Sequence, residues 1–149
     1  MSLQEKLMED MKLAMKSGDK VRLETIRGLR AQIKNKQIEL GKELTDEEVL
    51  QVLMSAAKKR KESIEQFRAG GRDDRAEEEQ QELNIIQSYL PEQMSEAEIS
   101  RLVEQTIQEV NAASIKDMGK VMGTIMPKVK GKADGKLVQQ IVREKLSAL

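Results

Sequence analysis

At 149 residues the chain is long enough for one ordinary domain or two small ones, and 38% hydrophobic against 35% charged residues excludes a membrane-embedded body. Lys plus Arg and Asp plus Glu are 26 each, so no global field draws in a partner. The absence of Cys and His excludes disulfides, thiolate or Ser-His nucleophiles, the usual zinc ligands and a histidine pH switch.

One Phe, one Tyr and no Trp leave Leu, Ile, Val, Met and Ala to build the core, a set suited to helix-on-helix packing. Ser2-Leu-Gln-Glu5 opens a first helix as a capping box, and Gly18 ends it. Asp19 caps a second helix carrying Leu23, Ile26, Leu29 and Ile33 on one face, stopped by Gly41. Thr45-Asp-Glu-Glu48 opens a third, with Val49, Leu53, Ala56, Arg60 and Ile64 in one stripe, ending at Gly70-Gly71. Lys58-Lys-Arg-Lys61 crosses it and reads as a solvated face with packed aliphatic stems, or as a nucleic-acid contact. Asp73 or Asp74 is expected to cap a fourth helix, which opens on Glu77-Glu78-Glu79 and ends near Tyr89, before Pro91.

Pro91-Glu-Gln-Met94 is the candidate boundary between an N-terminal four-helix unit (1–91) and a C-terminal three-helix unit (95–149). Ser95-Glu-Ala-Glu98 opens the fifth helix, with Ile99, Leu102, Val103 and Ile107 inside. Ser114 is expected to cap the sixth, whose stripe is Met118, Val121, Met122, Ile125 and Val129, and Asp134 the seventh. No segment alternates well enough to be a strand, so the fold class is all-α with about seven helices.

The chemistry-bearing stretch is Asp117 to Lys136. Gly119 and Gly123 share a face of the sixth helix, where each glycine costs about 1 kcal/mol against alanine. They are assigned to close packing by a neighbouring helix, the alternative being close approach of a ligand backbone. Lys128, Lys130, Lys132 and Lys136 surround the Gly131 turn, next to the N–H groups that open the last helix. They form either a phosphate-facing corner or a solvated turn. No Ser or Thr follows Gly131-Lys132 or Gly135-Lys136, so there is no P-loop. From Lys116 to Lys145 eight basic residues face three acidic, a net of +5, and Asp19–Lys42 carries seven against three, a net of +4. No catalytic pair and no cofactor site can be nominated, and Asp73-Asp74 with Glu77–Glu79 only weakly suggests a metal.

These residues resemble a known family. Asp117-Met-Gly-Lys-Val-Met-Gly123, with Gly131-Lys-Ala-Asp134 and Leu137-Val138, looks like the signature of YqeY-like (GatB/YqeY domain) proteins. Gln87-Ser-Tyr-Leu-Pro-Glu-Gln-Met94 and Ala69-Gly-Gly-Arg72 extend the resemblance over essentially the whole chain. Ser95–Leu149 is similar to the C-terminal tail of the B subunit of the tRNA-dependent amidotransferase. The resemblance implies an all-helical fold and a tail that helps hold tRNA. In that larger enzyme glutamine hydrolysis and transamidation occur elsewhere, and this chain has no room for those domains. The expectation is a cytoplasmic, non-catalytic module binding tRNA or another structured RNA through Lys128, Lys130, Lys132 and Lys136, with Gly131 allowing close approach. No membrane or DNA partner and no cofactor is expected. The alternatives are a protein-interaction adaptor, or an accessory subunit in carbon–nitrogen ligation with glutamine as amido-N-donor.

Overall fold

The computed structural model describes all residues from Met1 to Leu149. Seven α-helices account for the architecture: α1 (Leu3–Ser17), α2 (Lys20–Leu40), α3 (Asp46–Ala69), α4 (Asp73–Gln87), α5 (Glu96–Glu109), α6 (Met118–Val129) and α7 (Gly135–Ser147), with a 3-10 turn, Ile115–Asp117, before α6. The chain is all-α, as expected. It divides into two compact units, Met1–Leu90 and Pro91–Leu149.

The first unit is a pair of helical hairpins. Leu7 of α1, Ile26, Leu29 and Ile33 of α2, Val49 and Leu53 of α3, and Leu83 and Ile86 of α4 form its core. Local caps set where the helices start. Ser2 Oγ accepts from the Glu5 N–H at 3.1 Å. Thr45 and Glu48 cap each other reciprocally, and the Thr45 N–H bond holds the Glu48 carboxyl below its ordinary range. The Leu3 N–H donates to Asp46 at 3.1 Å, tying the start of α1 to that of α3. Tyr89 O–H donates to Asp10 at 2.5 Å; burial first, then that carboxylate, push the phenol pKa up.

Two starts differ from expectation. Asp73 is the first residue of α4 and Arg72 holds the cap position without a side-chain cap bond. Arg72 instead grips Asp74 through two contacts of 3.3 Å, so the acidic first turn is served by an ion pair. Ser114 opens the 3-10 turn, and α6 follows it. Arg60, from the basic run on α3, turns onto α4, 3.3 Å from Glu79 and 3.0 Å from Glu82, while Lys58, Lys59 and Lys61 stay exposed.

In the second unit α5, α6 and α7 each pack on the other two. Ile99, Val103, Val121, Ile125, Val129, Val138, Val142 and Leu146 are its buried centre. Val121, Ile125 and Val129 recur every four residues, which fixes the inward side of α6 and turns its other positions to solvent.

Candidate nucleic-acid interface

The core stripe of α6 decides what its outer face presents. Gly119, Lys120, Gly123 and Pro127 lie on that face, exposed. A methyl group built on Gly119 or Gly123 would meet nothing within 4 Å. This corrects the helix-packing assignment of the two glycines, because the buried stripe runs down the opposite side and no neighbouring helix comes close. Both glycines leave bare helical backbone open to solvent. Pro127 adds to this, since it has no N–H to give the carbonyl of Gly123 four residues earlier.

The open geometry makes a simple expectation. Gly123→Ala removes a helix-interior glycine with no positive φ and no crowding, so it should stabilise the unit by up to about 1 kcal/mol. Urea unfolding of the two proteins measures this.

Asp117 fixes the entry to α6. Its carboxylate accepts from the Ala113 N–H at 2.7 Å and the Ser114 N–H at 3.4 Å, and those bonds, Ala113 first, lower its pKa from the ordinary 3.8. A depressed folded-state value means stability that is present above pH 3.8 and lost as pH falls below it. The Ala113 amide resonance should therefore titrate with a midpoint under 3.8, and Asp117→Asn should abolish that titration.

At the other end of α6 the chain turns through Gly131, which is buried with φ of 76°. The Lys132 and Ala133 N–H groups both return to the Val129 carbonyl, at 2.8 and 3.0 Å. Ala133 is 8% exposed and plugs the turn into the core. The turn's carbonyls are held from outside it. Gln93 Nε2 donates to the Gly131 carbonyl at 2.9 Å and to the Pro91 carbonyl at 2.8 Å, and the Met94 N–H donates to the Lys132 carbonyl at 2.9 Å. With its carbonyls braced inward, the turn presents Lys130 and Lys132 exposed, and Lys136 follows in the first turn of α7. Asp134 caps α7 by accepting from the Lys136 N–H at 3.2 Å.

The four lysines are not equivalent. Lys128 lies 3.4 Å from Glu109 of α5. Lys145, from the same basic segment, reaches Glu104 of α5 at 2.6 Å. The +5 along the sequence is thus partly neutralised in space, and the exposed cations concentrate along the outer side of α6 (Lys116, Lys120) and at the turn (Lys130, Lys132, Lys136). Sequence pattern assigns Gln93 no part in the site; nothing local marks a linker glutamine as the brace for a turn 38 residues later. The acids considered for a metal diverge: Asp74 faces Arg72, Glu79 faces Arg60, and no group of three such side chains could hold an ion.

The all-helical fold and the stretch from Asp117 to the braced lysine turn define the class of protein. The Yqey-like protein family matches residues 4–146, and the chain belongs to it. It is 33% identical over 146 residues to "Altered inheritance of mitochondria protein 41, mitochondrial" of Pyrenophora tritici-repentis, covering 96% of this chain and 80% of that protein. The protein of the same name from Lachancea thermotolerans is 38% identical over 111 residues, 72% of this chain and 59% of its own length. A shorter stretch of 57 residues is 42% identical to one of the glutamyl-tRNA(Gln) amidotransferase subunits of Thermococcus sibiricus, covering 36% of this chain and 9% of that protein. No helix here is long and apolar enough to cross a membrane.

Proposed function

We propose that the C-terminal unit binds tRNA or another structured RNA along α6 and the turn that follows it, as a non-catalytic cytoplasmic module. The observation that carries this reading is the open backbone of Gly119 and Gly123 on an exposed face that ends in the lysine turn. Two glycines that no internal packing requires leave room for a phosphodiester backbone against the helix, and Lys120, Lys130, Lys132 and Lys136 supply cations to its phosphates. The Gly123 carbonyl, without its Pro127 donor, is an acceptor suited to a ribose 2′-hydroxyl. Phe67 is half-buried, Tyr89 is buried and no Trp exists, so recognition proceeds by shape and backbone, not by base stacking. The similarity to an amidotransferase component whose name contains a tRNA supports the reading.

A tRNA gel-shift at two salt concentrations tests it, with a DNA hairpin of the same sequence as competitor. Binding at low salt that the DNA displaces poorly is the expected result. Absence of binding at low salt, or indifference to reversing the charge of Lys130, Lys132 and Lys136, would refute it. In a fuller assembly the module would act beside a partner enzyme, including one that transfers an amide nitrogen from glutamine.

A further inference from the structure

The second basic segment, Asp19–Lys42, has no part in the RNA reading and lies in the other unit. α1 and α2 pair antiparallel, as the Gln37–Gln4 bond (3.3 Å) and the Arg30–Met11 contact (3.2 Å) show. Their outer side encloses a trough of about 560 Å³. Its floor is Leu7, Met8, Ala31 and Ile33, and Arg27, Arg30 and Lys34 stand along the α2 wall. Glu5 is the one acid lining it, and Glu24 lies 3.5 Å from Arg27 through an exposed pair. The lining therefore keeps an excess of positive charge. The trough is open to solvent: Met8 is 41% exposed, and Arg27, Ala31 and Lys34 are exposed. Apolar side chains extend the strip in both directions, Met15 at 53% and Ile38 at 70% exposed.

We infer that this trough is the docking site for an acidic amphipathic helix of a partner protein. A row of cations alone would suit a nucleic-acid backbone, but a phosphodiester chain makes no use of solvent-facing methionine and isoleucine side chains. An amphipathic helix uses both: apolar anchors at i, i+4 and i+7 enter between Met8 and Ala31, and flanking carboxylates meet Arg27 and Lys34. Unbranched methionines let such a seat repack around the incoming side chains. Charge complementarity to the α2 wall sets the sign of the partner.

The test uses the intact chain labelled with ¹³C at its methionine methyls. The probes are a synthetic helix with leucines at that spacing and glutamates on its flanks, a scrambled peptide of equal charge, and an oligouridine. The expected result is movement of the Met8 and Met15 methyl signals with the helix alone. Arg27→Glu with Lys34→Glu should weaken that binding about tenfold or more. Ala31→Lys separates the two chemistries, because it adds a positive charge while filling the floor: helix docking weakens, whereas phosphate binding would strengthen. These substitutions are exposed, and an unchanged thermal melt accompanies the expected result. An unmoved Met8 signal with the helix, an equal response to the scrambled peptide, or tighter binding by Ala31→Lys overturns the inference; movement with oligouridine in place of the helix reassigns the trough to nucleic acid.

Discussion

Ile125→Ala is expected to destabilise the C-terminal unit by about 2–5 kcal/mol, the range for truncating a buried isoleucine. Ile125 is 0% exposed, at the centre of the stripe where α6 meets α5 and α7. The unit runs only from Pro91 to Leu149, and a body of that size has a total stability of just a few kcal/mol. The loss is therefore comparable to the whole. Far-UV circular dichroism in urea should show part of the helical signal melting at low denaturant, and RNA binding should fall with it. Ile115→Ala is the control. Ile115 is 44% exposed in the 3-10 turn, and its truncation should stay within about 0.5 kcal/mol. Equal effects from the two would contradict the core described here.

Reversing Lys130, Lys132 and Lys136 to glutamate should lower tRNA affinity by about 100-fold or more at low salt, near 3 kcal/mol. If each lysine neutralises one phosphate, the slope of log K against log salt should also shrink by about 1 per lysine, or roughly 3 in all. The slope is the stronger readout, because misfolding would lower affinity without a matched change in slope. Lys128→Glu should alter the slope less, since Lys128 already faces Glu109 at 3.4 Å. Filter binding across a salt series separates these outcomes.

The parts of the fold legible in the sequence were those set by a few neighbouring residues. Ser2, Asp19, Thr45, Ser95 and Asp134 each cap the helix they were expected to cap, because a cap needs only its own side chain and an N–H two or three residues on. Arg72 escaped because its partner Asp74 sits inside the helix, a placement that propensity alone does not order. The glycine pair of α6 was read as a packing surface from composition. Which way it faces depends on Val121, Ile125 and Val129, and those residues turn it outward. Linear charge misled in a similar way, since Glu104 and Glu109 reach the basic segment from another helix. Gln93 lay beyond local reading altogether, its bond to the Gly131 carbonyl being a product of the folded unit.

That bond has a practical corollary for anyone wishing to study the C-terminal unit alone. Pro91, Gln93 and Met94 look like a hyphen between two helical bodies, yet they act as a splint on the turn beyond α6. A fragment beginning at Ser95 would keep all three helices and lose the splint, leaving the Gly131 and Lys132 carbonyls to water. A fragment beginning at Pro91 keeps it. A difference in RNA affinity between the two fragments would measure how much the lysines owe to being held still.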